Sequence, residues 1–301
     1  MKFPMLVNIK VIKVWLKIFT IKRWMNYHQQ QKSIFSAVEI ETINRCNGKC
    51  SFCPVNSKLD KRPFAKMNKI LFCNIIDELS DLKYSGFLGL YSNNEPYLDR
   101  DIVDKIAYSR LKCQHAFIYL YTNGTLLTWD KLKSSIDAGI SHIAIDNYSD
   151  EGLFHSNIVE IIQKLKEPNS CKYREKVSIS IRRENEILTN RGGIAPNKSP
   201  EIFKDYNLYL NAGCLLPFRQ FVIRPSGEVS LCCQDALGQM TLGDVNKNSL
   251  NDIWFGDQYK NVRNILMNIG RRGVSICKIC DVSAVYRNDF ILLLKNFIGW
   301  R

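Results

Sequence analysis

Between residues 36 and 182 short apolar runs alternate with amphipathic ones, and this order constrains the fold more than any other feature of the chain. Ser36–Thr42 alternates like a strand; 67–82 carries apolar residues at helical spacing. The same reading gives strands at 87–91, 117–121, 142–145 and 177–181, and helices at 99–111, 129–138 and 158–166, with Asp99 as a candidate cap. Strand–helix alternation of this kind predicts right-handed βαβ units and a parallel sheet. A sixth strand is expected near 202–210. The turn-rich piece Asn190-Arg191-Gly192-Gly193-Ile194-Ala195-Pro196 marks a domain boundary.

Directly after the first strand stands Cys46-Asn47-Gly48-Lys49-Cys50-Ser51-Phe52-Cys53. Thiolates are soft ligands for zinc and iron–sulfur clusters. Three on one short loop can hold three irons of a [4Fe–4S] cube and leave the fourth open, whereas a structural zinc wants a fourth protein ligand. Loops at the C-terminal ends of parallel strands are where α/β barrels place their active sites. A second set follows beyond the boundary: Cys214, twelve residues, Gly227, four residues, Cys232, and later Cys277 and Cys280 as Cys-x2-Cys. Four thiols close one cube or one zinc site; their number alone does not choose.

The Cys-x3-Cys-x2-Cys loop, with Phe52 in its aromatic slot, resembles the signature of the radical S-adenosylmethionine (SAM) enzymes. The second set resembles the auxiliary-cluster extension called SPASM, or its shortened form, twitch. The full SPASM form has further cysteines after the Cys-x2-Cys, and none follows Cys280 here. The resemblance spans residues 36 to about 285. It implies a partial (β/α)6 barrel over 36–210 and a small auxiliary-cluster domain with a β-hairpin and helices over 211–285. These are flanked by a basic amphipathic segment over 1–35 and a C-terminal helix over 286–301. The implied cofactors are SAM, a SAM-binding [4Fe–4S] cluster on Cys46, Cys50 and Cys53, and an auxiliary [4Fe–4S] cluster on Cys214, Cys232, Cys277 and Cys280.

Looser matches lie at other strand ends. Ser92-Asn93-Asn94-Glu95-Pro96 resembles the family's Gly-x-Gly-Glu-Pro segment, with Asn at both glycine positions, and makes Asn94 and Glu95 candidates for the SAM amino group. Thr122-Asn123-Gly124 puts Asn123 near SAM; an Asn-Gly turn is also common on its own. Asp146, in Ile145-Asp146-Asn147, resembles the end of a Ser-x-Asp segment with Ala144 for the Ser, and is a candidate for a ribose or substrate hydroxyl or else a helix cap. On the fifth strand Arg182, rather than Arg183, is expected to face inward and meet the SAM carboxylate.

The resemblance implies generation of a 5′-deoxyadenosyl radical that abstracts a hydrogen atom from an organic substrate. A fully ligated second cluster can accept an electron, which favours oxidation of an alcohol on a sugar or aminocyclitol-like molecule. Arg191 is a candidate base for the hydroxyl proton, or else an arginine holding the domain junction. Epimerisation of a sugar or peptide centre, with Cys233 returning the hydrogen, is the alternative, and peptide maturation a third. In the bland reading Cys233 is a small buried side chain. The implied partners are a small-molecule, glycan or peptide substrate and a one-electron donor such as flavodoxin or ferredoxin.

Charge adds one constraint. The formal net charge is +13, and no acidic residue precedes Glu39 while Lys2, Lys10, Lys13, Lys17, Lys22, Arg23 and Lys32 do. Residues 5–25 read either as a basic helix lying on a membrane surface or as a helix packed on the catalytic domain. They lack the uninterrupted apolar span of about 20 residues that crosses a bilayer. Eleven cysteines without a secretory signal suit a reducing cytoplasm with thiolate–metal sites, with the inner membrane face as a candidate location. Zinc in both sites and nucleic-acid binding is the non-enzyme alternative, and nucleic acid is the less favoured partner.

Overall fold

The computed structural model describes residues 9–31, 34–198 and 213–282. The sixth strand expected at 202–210 and the helix expected at 286–301 lie outside them. The described residues build an eight-stranded sheet in the order β5-β4-β3-β2-β1-β6-β7-β8. Its first half is β1 (Ala37–Ile40), β2 (Phe87–Gly89), β3 (Phe117–Thr122), β4 (His142–Tyr148) and β5 (Val177–Arg182), each paired in parallel with the next.

Period-two burial gives these strands two different faces. In β3, Ile118 and Leu120 are fully buried, while Phe117, Tyr119 and Tyr121 share the other face. Helices α1 (Ile9–Gln31), α2 (Lys69–Asp81), α3 (Ile102–Lys112), α4 (Trp129–Asp137) and α5 (Ser156–Lys166) precede or connect the strands. In α2, Phe72, Ile75, Ile76 and Leu79 are buried at helical spacing, and Asn68 caps its start by accepting from the Ile70 N–H at 2.7 Å. Asp99 does not cap α3, which begins at Ile102 after Asp101. It is instead buried and paired with Lys105 and Lys66.

The auxiliary region continues the same sheet. β6 (Gln220–Ile223) pairs in parallel with β1, from Ala37 opposite Gln220 to Ile40 opposite Ile223. β7 (Glu228–Ser230) and β8 (Thr241–Asp244) extend it antiparallel. The β6–β7 turn needs Gly227 at φ +92°. The edge that β1 would otherwise present is therefore covered, as unpaired edges generally must be. An aromatic cluster joins the two halves: Phe35 lies 4.9 Å from Phe221 and 5.4 Å from Trp254, and Trp254 5.0 Å from Tyr259, centroid to centroid.

The second half of α1 belongs to this core. Ile21 and Met25 are buried, and a Cβ on Gly213 would come within 2.3 Å of the Met25 sulfur. Phe19 and Tyr27 face solvent. Among the described residues no helix is long and apolar enough to cross a membrane.

The boundary at 190–196 is stitched to the auxiliary region. The Asn190 N–H donates to Asp281 Oδ1 at 2.8 Å, and Lys198 pairs with Asp281 at 2.7 Å. Arg191, Gly192 and Gly193 are all left-handed, at φ +50°, +62° and +89°. A Cβ on Gly193 would sit 2.3 Å from Ile279 Cδ1. Gly193→Ala is therefore expected to cost about 2 kcal/mol or more, read as a fall of about 5 °C in Tm. An unchanged Tm would show that this junction is not pinned.

Candidate active site

At the C-terminal ends of β1–β5 lies a cavity of ≈ 320 Å³. The loop after β1 brings Cys46, Cys50, Phe52 and Cys53 to its wall; the turns after β2 and β3 bring Asn94, Glu95 and Asn123. Strands β4 and β5 contribute Asp146 and Arg182, while Arg191 and Cys233 close the side toward the auxiliary region.

The thiol loop buries Cys50 and leaves Cys46 and Cys53 half-buried. A Cβ on Gly48 would sit 3.3 Å from Cys46 Sγ and 3.9 Å from Cys50 Sγ, so the glycine keeps the space between them clear. The Asn56 side-chain amide donates to the Cys53 carbonyl at 2.8 Å and the Cys50 carbonyl at 3.2 Å, which holds the turn. Phe52 is buried against Tyr148, 5.8 Å between centroids. Burial pushes the Cys46 and Cys50 thiols up to about 12, so their conversion to thiolates needs a nearby positive centre such as bound iron. Among the described residues no three His, Cys, Asp or Glu side chains converge as tightly as a single ion needs; the thiols line a wall instead.

The polar groups divide into braces and open donors. Glu95 is a brace: Oε1 accepts from Thr122 Oγ1 at 2.7 Å and the Tyr97 N–H at 3.1 Å, and Oε2 from the Asn123 N–H at 2.8 Å. Burial raises it to about 6. Asn94 accepts from the Ser92 N–H at 3.0 Å, which leaves its buried Nδ2 without a partner on the cavity wall. A buried unpaired donor is costly and asks for a ligand acceptor. Asn123 Nδ2 donates to Asn47 Oδ1 at 2.9 Å beside Cys46. Asp146 accepts from Ser180 Oγ at 2.6 Å and lies 3.5 Å from Arg182, whose other nitrogen meets Glu186 at 2.7 Å. Arg183 is exposed.

Several residues that sequence reasoning passed over join these. Glu39, on β1, is buried on the cavity wall, where its carboxylate accepts from Ser92 Oγ at 2.7 Å and Gln220 Nε2 at 2.6 Å. Burial lifts it to about 7, against the pull of Ser92, Arg191 and Gln220. Gln220 Oε1 accepts from the Cys233 N–H at 3.0 Å. Asn93 links the far side, accepting from Arg191 Nη1 at 2.8 Å and donating to the Cys233 carbonyl at 3.2 Å. The available signal was a glutamate inside the otherwise apolar Val38-Glu39-Ile40.

The second thiol set surrounds a small cavity of ≈ 10 Å³ lined by Cys214, Cys232, Cys277 and Cys280, with Gly192 and Arg271 beside them. Burial raises the thiols of Cys232, Cys277 and Cys280. Cys232 faces this cavity and its neighbour Cys233 the larger one. Cys73, Cys113 and Cys171 line neither.

Two family descriptions match the chain: the radical SAM superfamily over residues 40–167 and the SPASM iron–sulfur cluster-binding domain over residues 214–281. The S-adenosyl-L-methionine-dependent 2-deoxy-scyllo-inosamine dehydrogenase of Niallia circulans is 26% identical over 263 residues, 86% of this chain and 99% of that protein. The crystal structure of BtrN in complex with AdoMet and 2-DOIA superimposes with a TM-score of 0.69 at 24% identity, covering 83% of this chain and 94% of that one. A structure of anSMEcpe with bound AdoMet gives 0.56 at 13% identity, over 88% and 92%. Two soft-ligand sites on one α/β sheet and these two matches agree: the chain is an enzyme of the radical SAM superfamily with a SPASM domain, and its cofactors are SAM and [4Fe–4S] clusters.

Proposed function

We propose that the protein is a SAM-dependent dehydrogenase that oxidises a secondary alcohol of an aminocyclitol or similar sugar-like molecule. One observation carries the reading. The cavity is walled on one side by Cys46, Cys50 and Cys53 and on the other by Cys233, whose neighbour Cys232 belongs to the second thiol set. A carbinol held there lies between two redox sites. The similarity to a 2-deoxy-scyllo-inosamine dehydrogenase supports the substrate class.

Cys46, Cys50 and Cys53 hold the first cluster, with Phe52 excluding water beside it. Asn94, through its open amide, and Arg182 bind the methionine end of SAM; Asn123 and Asp146 face its nucleoside end. Glu95 fixes the turns that carry them. Cys214, Cys232, Cys277 and Cys280 hold the auxiliary cluster. When bound, these groups would supply a hydrogen-atom acceptor for the carbinol carbon and an electron acceptor at the second thiol set. A one-electron donor such as flavodoxin or ferredoxin serves the first cluster. Residues 5–25 make the membrane-surface contact without Ile21 and Met25, which are committed to the core.

The protein's own task is the proton. Arg191, held by Asn93 on the cavity wall, donates a hydrogen bond to the alcohol oxygen. Glu39 accepts the hydroxyl proton. It acts ionised, and its raised pKa places the change near pH 7, so turnover rises with pH through about 7 and then levels. Glu39→Gln is expected to lower turnover about 100-fold and to remove that rise. Wild-type turnover in the variant between pH 5.5 and 8.5 would reduce Glu39 to a brace.

Cys233 supports a second reading. Its thiol lines the cavity and burial pushes it up to about 12, so it stays an S–H able to return a hydrogen in an epimerisation. Substrate recovered with inverted configuration and solvent hydrogen would favour it. Iron and sulfide analysis after anaerobic purification tests the common ground. About eight irons per chain are expected; zinc would contradict both readings.

A further inference from the structure

A second cavity, of ≈ 380 Å³, lies between the end of α1 and the helix Asp257–Asn268 and shares no lining residue with the first. Arg263, Lys260, His28 and Asn264 give it polar walls and Phe218 and Trp254 apolar ones, and among the described residues no carboxylate lines it.

Arg263 makes the site unusual. It is only 6% exposed. Its Nε donates to the Pro217 carbonyl at 3.0 Å and its Nη1 to the Trp254 carbonyl at 2.7 Å, with the guanidinium 3.9 Å from the centroid of the Trp254 ring and 4.7 Å from that of Tyr259. Those contacts explain its place in the core. They do not use Nη2, which is buried without a hydrogen-bond partner. Burial lowers the pKa only to about 10, so the group remains a cation at neutral pH. A buried cation with an unmet donor, and with no facing carboxylate among the described residues, is an incomplete arrangement, and an anion completes it. Lys260 on the rim adds a second positive charge, its ammonium 3.8 Å from the fully exposed Asp257. The net charge of +13 draws anions toward the molecule as a whole.

We propose that this cavity binds a phosphate group, with Arg263 Nη2 and Lys260 as donors and the Phe218–Trp254 wall receiving an apolar or planar remainder. A charged guanidinium N–H at Nη2 beside an ammonium is suited to a phosphate oxygen, and the volume leaves room for more than the phosphate. The phosphate comes either from a soluble phosphoester or from the headgroup of an anionic lipid, and both present the same chemistry.

The test uses the full-length, anaerobically reconstituted protein, titrated with inorganic phosphate at constant ionic strength and followed by tryptophan fluorescence and Tm. A saturable response is expected. Lys260→Glu and, separately, Asn264→Glu should weaken it about tenfold or more, because each places a carboxylate at the rim. Both residues are exposed, so folding is preserved where a change at Arg263 would remove its two backbone bonds. Lys166→Glu, the same charge change on the exposed side of α5, should leave the response intact. Phosphatidylglycerol vesicles, against phosphatidylcholine ones, separate the sources. Sedimentation with the former, competed by phosphate, identifies a lipid headgroup; phosphate binding without sedimentation identifies a soluble phosphoester. No saturable response to phosphate or to phosphatidylglycerol, or equal weakening by Lys166→Glu, would overturn the site.

Discussion

Changing Cys50 to Ala abolishes turnover, a loss of more than about a thousandfold, because the chemistry resides in the cofactor and no side chain of the cavity replaces it. Cys50 lines the cavity beside Cys46 and Cys53. Two ligands cannot hold a cube that three hold with one iron open. The variant should therefore lose about four of about eight irons, make no 5′-deoxyadenosine and keep its fold. The fold survives because the loop is tied by contacts that do not involve the sulfur: Ser51 to the Glu184 carbonyl and Asn56 to the Cys53 carbonyl. Circular dichroism matching the parent protein, with SAM cleavage absent, is the expected pair of observations. SAM cleavage at the parent rate would remove this loop from the chemistry.

Cys232→Ala gives a different failure. It also removes about four irons, but from the second set. The first cavity keeps all of its lining residues, so SAM cleavage and hydrogen abstraction continue. What is lost is the route by which the electron leaves the substrate. Ketone formation should fall by about a hundredfold or more while 5′-deoxyadenosine still accumulates. Stability falls as well, because Cys232 and Cys277 are part of the core shared by both halves of the sheet. Equal losses of 5′-deoxyadenosine and ketone would show that the second site acts only as a structural clamp.

Much of this arrangement was legible before the structure. The alternation over 36–182 specified a parallel sheet, and the rule that parallel sheets work at their C-terminal strand ends located the cavity. That is why Cys46, Asn94, Asn123, Asp146 and Arg182, far apart in sequence, line one space. Glu39 was not legible for a physical reason. In a short alternating strand a glutamate reads as the solvent side, whereas the second face of a half-barrel is a buried polar interior. The pairing of β6 with β1 was hidden too. Gln220-Phe221-Val222-Ile223 shows strand character, but a local pattern carries no information on a partner about 180 residues away, as the 183-residue span of the Ser36–Arg219 contact shows. Asp99 looked like a cap because Asp often is one; its burial with Lys105 and Lys66 made it the centre of a charge cluster instead. The basic residues within 5–25 left membrane and protein contact open, and the packing of Ile21 and Met25 assigned the second half of α1 to the protein.

The central claim is that a carbinol between the two thiol sets loses a hydrogen atom, a proton and an electron. An aminocyclitol deuterated at the carbinol carbon, incubated anaerobically with the reconstituted protein, SAM and a one-electron reductant, tests it directly. The account predicts ketone and 5′-deoxyadenosine in equal amounts, with the deuterium in the latter. Deuterium-free 5′-deoxyadenosine, or labelled 5′-deoxyadenosine with the alcohol recovered and no ketone, would contradict it.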